Sequence, residues 1–340
     1  MFAEAEEAAL ADNDVVGQGD AEELSRALEA ARRVVADYLV PTPTVRLNVR
    51  GRPVWAKLES LQVTGAFKIR GALAALSAVR EADETSAVIT SSAGNHGLGI
   101  AHAAQLLGVR ATVVVPANAS AAKVAKLKKY DVELIEVGSS YDDAQAHALE
   151  LASRRSLHYV SPFNDTNVIA GQATVFDEMI HQAPELEHLV VSVGGGGLLS
   201  GTLLARAAAG RLDVTVTGVQ PEESSALYHV LRGAKMSDVV HRPTIADGLA
   251  GGGDEGAITN ELIERAGVRL LVVPEIAIRG AVAEIAEVNG LVMEGSAATS
   301  YAAIAHDLIN DQNSRVGFIA SGRNISRDLL IELLTQRASH

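Results

Sequence analysis

One lysine, Lys68, lies in "GAFKIRGA" (residues 65–72), between an aromatic and an aliphatic residue and fenced by Gly65 and Gly71. An amine with such neighbours either snorkels to solvent or is held in a closed apolar loop, where desolvation disfavours the ammonium and leaves a nucleophile near neutral pH. A second candidate is the glycine run of "SVGGGGLLSG" (192–201), which follows the apolar strand pattern "HLVVSV" and leads into a helical one. Gly194, Gly195, Gly196 and Gly197 would leave backbone N–H groups unshielded at a helix N-terminus, a ready site for a phosphate dianion. The plainer reading is a flexible turn, but four consecutive glycines carry an entropic cost that a simple turn does not require. The run is not GxxxxGK[ST] and no ribose-binding acid follows at the usual distance, so a nucleotide phosphate is disfavoured. A third candidate, "SSAGNHG" (91–97), sits at another strand-to-helix junction. It offers serine hydroxyls, the Asn95 amide and backbone N–H groups to a carboxylate or ring oxygen, or else serves as an ordinary helix cap. His96 alone reads as a packed histidine. An amine, a phosphate cup without nucleotide features and a carboxylate loop are together the parts of a pyridoxal 5'-phosphate site, with Lys68 as its Schiff-base lysine.

Groups so far apart in sequence need a framework that returns them to one place. Short β-branched runs alternate with longer helical patterns: "PVWAKLE", "SAVITSS", "ATVVVP", "VELIEV", "HLVVSVG", "VTVTGVQ", "VRLLVVP" and "RVGFIAS" read as strands. Between them, "HGLGIAHAAQLLG", "YDDAQAHALELASRR", "NVIAGQATVFDEMIHQ" and "IRGAVAEIAEVNG" read as helices. From Ala21, the spacing of Leu24, Leu28, Ala31, Val35 and Tyr38 gives one apolar helical face that "VPTPT" ends. This alternation predicts parallel βαβ crossovers and an α/β fold with buried sheets, ligand lying at the carboxyl ends of strands. The acidic, Ala-rich residues 1–20 read as an extension, and "GGGD" (251–254) as a loop rather than a second phosphate cup.

The sequence resembles the tryptophan-synthase-β-like pyridoxal phosphate enzymes, specifically the serine/threonine dehydratases, from about Leu39 to Leu334. The resemblance is carried by "PTPT" (41–44), "KLESLQVTGAFKIRGA" (57–72), "SSAGNHG", "SPFNDTNVIAGQAT" (161–174), "GGGGLLSG" (194–201), "GVQPEES" (218–224), "IADGLA" (245–250) and "SGRNI" (321–325), in family order. It implies two three-layer, parallel-sheet domains with the cofactor in the cleft: a small domain, residues 88–163, inserted in a large one, residues 21–87 plus 164–340. It implies that Lys68 carries the cofactor and handles the substrate's α-proton. Phe67 would pack on the ring, Asn95 would bind its phenolic oxygen, and Gly194 to Gly197 with Leu198 would hold the phosphate. Ser91, Ser92 and the backbone of Ala93, Gly94, Asn95 and His96 would take the substrate carboxylate. Gly248 would lie beside the ring and Ser321 would hydrogen-bond its pyridine nitrogen. A neutral hydroxyl there suits expulsion of a β-hydroxyl better than transamination.

The implied activity is α,β-elimination of L-threonine, L-serine or a related β-hydroxy amino acid, including a substituted serine, to a 2-oxo acid and ammonia. The alternative is a racemase on the same scaffold, and a non-catalytic cofactor-binding protein or a β-replacement enzyme stands further off. Relatives that racemise serine carry a serine immediately before "GNH", where this chain has Ala93. Their carboxylate metal site would fall here on Gln220 and Ala226, so no metal is expected. The chain stops one helix after "SGRNI", which leaves no room for a regulatory domain.

Composition narrows the partners. A net charge of −13 lacks the basic footprint of a nucleic-acid binder, so no nucleic acid is expected. No apolar run approaches the roughly 20 residues that span a bilayer, and the N-terminus lacks a signal-peptide pattern, so no membrane contact and a cytoplasmic setting are expected. The 340 residues, 48% hydrophobic, contain no cysteine. The expected partners are an amino-acid substrate and, by the resemblance, a second copy in a homodimer.

Overall fold

The computed structural model describes residues 18–337 apart from 252 and 311–313, so most of the predicted N-terminal extension lies outside the described residues. Ten strands form two sheets. The six-stranded sheet has the order β1 (Thr44–Val49), β2 (Arg52–Lys57), β10 (Val316–Ile319), β7 (His188–Ser192), β8 (Thr215–Pro221), β9 (Arg269–Val273). The four-stranded sheet has the order β5 (Glu133–Glu136), β4 (Arg110–Val115), β3 (Ala87–Ser91), β6 (His158–Tyr159). Every pairing is parallel except β1 with β2. That hairpin turns on Arg50 and Gly51, both at positive φ (49° and 87°), as a tight two-residue connection between right-twisted strands demands.

Both sheets are covered on both faces, the three-layer α/β arrangement. Along β7, Leu189 and Val191 join a core with the helices Thr166–Gln182 and Gly197–Ala208, while the intervening Val190 joins another with Glu275–Asn289 and Gly295–Ala305. The small sheet alternates likewise, Val88 and Ile89 of β3 pointing into different clusters. Burial on both faces is why these strands read as near-continuous apolar runs. The first helix, Gln18–Tyr38, buries Leu24, Leu28, Ala31 and Val35 as expected, but Tyr38 is 40% exposed at its end.

The topology gathers the candidate residues. Strands β2, β10 and β7 are neighbours and parallel, so their carboxyl ends open on one edge. From that edge β2 leads through residues 58–67 to Lys68, β10 leads to Ser321, and β7 leads to the glycine run. In the second sheet β3 and β6 are adjacent, and release residues 91–97 and 160–164 side by side.

Candidate cofactor and substrate site

Lys68 is not in a loop, as expected from its flanking glycines, but is the first residue of the helix Lys68–Ala82. Phe67, at φ −60° and ψ −22°, already has helical geometry, and no side chain caps this end. Gly71 is a packing residue: a Cβ there would fall 2.2 Å from Gln172 Nε2 and 2.8 Å from Val168 O, so the helix crosses Thr166–Gln182 closely. The Lys68 amine donates to Pro162 O at 2.7 Å and lies 5.2 Å from the Phe67 ring centroid. Burial pulls its pKa down to about 8, so a usable fraction of the amine is neutral near physiological pH.

The glycine run forms a cup. The amides of Gly194 to Leu198 donate to no acceptor among the described residues, while the Gly195 carbonyl is held by Thr259 Oγ1 at 2.8 Å. Gly196 has φ 91°. A Cβ on Gly195 would meet the Phe163 ring at 2.4 Å, and one on Gly194 would lie 3.1 Å from Leu249 Cα. The chain thus approaches its neighbours too closely for side chains, with its donors left unspent at the start of the helix Gly197–Ala208.

Ser321 is buried, and its hydroxyl has no hydrogen-bond partner among the described residues, while its carbonyl accepts from Phe67 N at 3.1 Å. Gly248 lies against Gly194, and its amide donates to Ser296 Oγ at 2.9 Å. Asn95 opens the helix Asn95–Leu107 and is engaged at both ends of its amide: Nδ2 donates to Glu294 Oε1 at 2.7 Å, and Oδ1 accepts from Asn324 Nδ2 at 2.7 Å. Glu294 Oε2 also accepts from Asn324 N at 2.8 Å. Burial, with the Asp247 carboxylate second, pushes the Glu294 carboxyl up to about 7.

In "SSAGNHG", Ser91 is fully buried with an unpaired hydroxyl, and Ser92 Oγ accepts from Gly94 N at 3.2 Å. Ala93 is half-buried against the apolar cluster that includes Leu98, Ala101 and Val113. The amides of Asn95 and His96 donate to no acceptor among the described residues, as the first N–H groups of a helix have none within it. His96 is buried, with Nε2 3.3 Å from Val160 O, and burial followed by the Lys68 charge pulls its pKa down to about 3. It is a neutral packed ring. The helix passes close to the lysine, since a Cβ on Gly99 would lie 3.1 Å from Lys68 C and O.

Sequence reasoning missed four participants. Pro162 receives the lysine through a backbone carbonyl, which leaves no mark in residue type. Phe163 and Asn324 lie inside quoted motifs but were assigned nothing. Glu294 stands at the N-cap of Gly295–Ala305, where an acid reads as ordinary helix-end chemistry.

Fold and site together define an α/β enzyme with a depressed-pKa lysine beside an empty-handed amide cup. The chain belongs to the pyridoxal-phosphate dependent enzyme family, whose model matches residues 35–322. It is 34% identical to an L-threonine ammonia-lyase of Thermotoga maritima over 93% of this chain and 78% of that protein. It is 31% identical to a serine racemase of Oryza sativa subsp. indica over 91% of this chain and 93% of that one. Among solved structures, the processed form of threonine deaminase isoform 2 from Solanum lycopersicum superposes with a TM-score of 0.82 at 28% identity, covering 92% of this chain and 93% of that chain. Maize serine racemase gives 0.81 at 29%, covering 93% and 98%.

The residues present fit pyridoxal 5'-phosphate, the cofactor of this family. The unspent amides suit its phosphate, the unpartnered Ser321 hydroxyl suits a ring nitrogen, and the Lys68 amine suits its aldehyde. No helix among the described residues is long and apolar enough to cross a membrane.

Proposed function

We propose that the chain is an ammonia-lyase that converts L-threonine, L-serine or a related β-hydroxy amino acid to a 2-oxo acid and ammonia. The observation that carries this reading is the Lys68 amine, buried, with its pKa pulled down to about 8 and only a neutral carbonyl, Pro162 O, for a partner. The similarity to L-threonine ammonia-lyases along most of the chain supports it.

When bound, pyridoxal 5'-phosphate supplies the electron withdrawal that acidifies the hydrogen on the substrate's α-carbon. Lys68 Nζ is the base that takes that proton, since a neutral amine is the form that accepts one. Gly194 to Leu198 hold the phosphate through their amides, and Phe67 packs beside the ring. Ser321 offers the ring nitrogen a neutral hydroxyl, which leaves the α-carbon less able to store negative charge and favours prompt loss of the β-substituent. Ser91, Ser92 and the helix start at Asn95 and His96 orient the substrate carboxylate. Asn95 retains one N–H beyond its bond to Glu294 for the ring oxygen.

Residues 88–163 close over the substrate as a small domain against residues 21–87 plus 164–340, and shut out water. Two contacts in support span the mouth: the Lys123 ammonium pairs with Asp247, and Lys126 Nζ donates to Asn324 Oδ1 at 2.9 Å. A cytoplasmic homodimer completes the reading.

Racemisation is the second reading, favoured by the serine racemase relatives and opposed by Ala93, which has no proton to give. The test is incubation of purified protein with L-threonine and L-serine, assaying 2-oxo acid, ammonia and amino acid of inverted configuration, with Lys68→Ala alongside. Keto acid and ammonia in equal amounts, a visible cofactor band, and loss of both in the variant are expected. A protein that binds no pyridoxal phosphate would overturn the proposal.

A further inference from the structure

A cleft of about 410 Å³ is lined by Gln145, Leu149, Tyr159, Ser161, Asn164 and Asp254. It shares a chain segment with the lysine's partner. Ser161 and Asn164 bracket Pro162, whose carbonyl receives Lys68 Nζ, and Phe163, whose ring lies against the glycine cup. One wall is the helix Tyr141–Arg155 with Tyr159 of β6, and the other is the glycine-rich loop around Asp254. The stretch that follows Asp254 is fixed to the same segment, since Asn164 Oδ1 accepts from Ile258 N at 3.0 Å, and Asn260 Nδ2 donates back to the Asp254 carbonyl at 3.1 Å.

The lining has a definite polarity. It holds an amide, two hydroxyls, a second amide and one carboxylate, and no cationic side chain. The Tyr159 hydroxyl is buried beside the Gln145 amide and the Tyr141 hydroxyl. Asp254 faces both tyrosines of this wall, because after burial its charge is among the causes that raise the Tyr141 and Tyr159 phenols. A carboxylate that lines the cleft with no cation opposite it favours a ligand that brings hydrogen-bond donors or positive charge. An incoming carboxylate would meet Asp254 with no cation to offset it.

We infer that this cleft is the subsite for the substrate's β-substituent, and that it takes an uncharged or cationic, hydrogen-bond-donating group larger than the methyl of threonine while rejecting a carboxylate. This rests on the proposed ammonia-lyase reading and narrows its substrate class to neutral or cationic substituted serines. It excludes 3-hydroxyaspartate as a good substrate. Asp254 thereby gains a role in specificity.

The test compares L-threonine, L-threo-3-hydroxyaspartate and L-3-hydroxylysine on the holoenzyme, using kcat/KM for 2-oxo acid and, separately, the dissociation constant from the shift of the cofactor's visible spectrum. The wild type is expected to disfavour hydroxyaspartate relative to hydroxylysine by at least about tenfold. Asp254→Asn is expected to shrink that ratio and Asp254→Lys to invert it. A ratio that stays constant across the three proteins, or a wild type that prefers hydroxyaspartate, overturns the subsite. Binding without any 2-oxo acid would sink the lyase reading alone, because the spectral titration still reads the ratio.

Discussion

Arg70 and Glu59 form a two-pronged ion pair, Nε to Oε2 and Nη2 to Oε1, both at 2.8 Å, with neither side chain reaching solvent. Arg70 also holds Glu178 through Nη1 and Nη2, at 2.7 and 2.8 Å, and Glu178 accepts from the buried Lys57 at 2.7 Å. Two cations thus meet two carboxylates beneath the start of the Lys68 helix. The balance matters more than the count, because in the interior a single unmatched charge costs more than a matched pair gains.

Arg70→Ala is therefore expected to cost about 3–5 kcal/mol, leaving Glu59 buried without its partner. Urea denaturation measures this. Arg70→Met combined with Glu59→Leu should recover much of the loss, since it removes the stranded charge as well as the pair. A double variant no more stable than Arg70→Ala would mean that the network's hydrogen bonds to Thr42 and Thr174, rather than charge matching, hold the helix.

The lysine's own titration gives a kinetic prediction. Its amine titrates at about 8 in the folded chain against 10.5 for an ordinary lysine. Only the neutral amine attacks an aldehyde, so recapture of pyridoxal phosphate by the apoprotein should accelerate as pH rises from 7 and level off above about 8. Stopped-flow absorbance at several pH values reads this directly. A rate still climbing steeply towards pH 10 would mean that the amine is solvated rather than buried. Because the unfolded chain binds the extra proton between these two values, this group's contribution to stability rises with pH across that window.

Glu294 works in the opposite sense. Its carboxyl titrates at about 7 in the fold and at 4.5 ordinarily, so in that window the folded state holds a proton that the unfolded state has lost. Stability of the apoprotein should fall as pH rises from 4.5 through 7, by an amount on the order of 3 kcal/mol for this group. Glu294→Gln cannot ionise and should flatten that slope. Urea midpoints at pH 5 and pH 7.5 for both proteins provide the comparison, and parallel slopes would place the proton elsewhere.

How much of this was legible follows from the physics of each element. Strands buried on both faces announced themselves as apolar runs, and eight of the ten were read within a residue or two of their ends. β1 was missed because "TVRLNV" follows a helix-stopping "VPTPT" and lies half-exposed at the sheet edge. β6, at two residues, has no period to detect. Lys68 was read into a loop because Phe67 carries none of the capping side chains that mark a helix start. The glycine run, Lys68 and Asn95 were singled out by type and junction, whereas Ser321 entered only through the family resemblance. The carbonyl of Pro162 could not, since every residue has one, and Glu294 was hidden because it acts through Asn95.

Ala93 offers the sharpest way to divide the two activities associated with this fold. It precedes Gly94 and Asn95 in "SSAGNHG", half-buried against the apolar cluster that includes Leu98, and its methyl carries no exchangeable proton. Racemisation needs a donor on the face away from Lys68, whereas elimination needs only the lysine and a departing β-substituent. Ala93→Ser adds one hydroxyl of nearly the same size and should leave folding and cofactor binding intact. The expected result is the appearance of D-serine from L-serine, and of solvent deuterium at the α-carbon of recovered substrate, alongside continuing 2-oxo acid release. Chiral chromatography and mass spectrometry resolve the two. If the variant makes no D-serine while elimination proceeds unchanged, the residue before "GNH" does not set the reaction's course here, and neighbouring Ser92 becomes the hydroxyl to remove in a wild type that racemises.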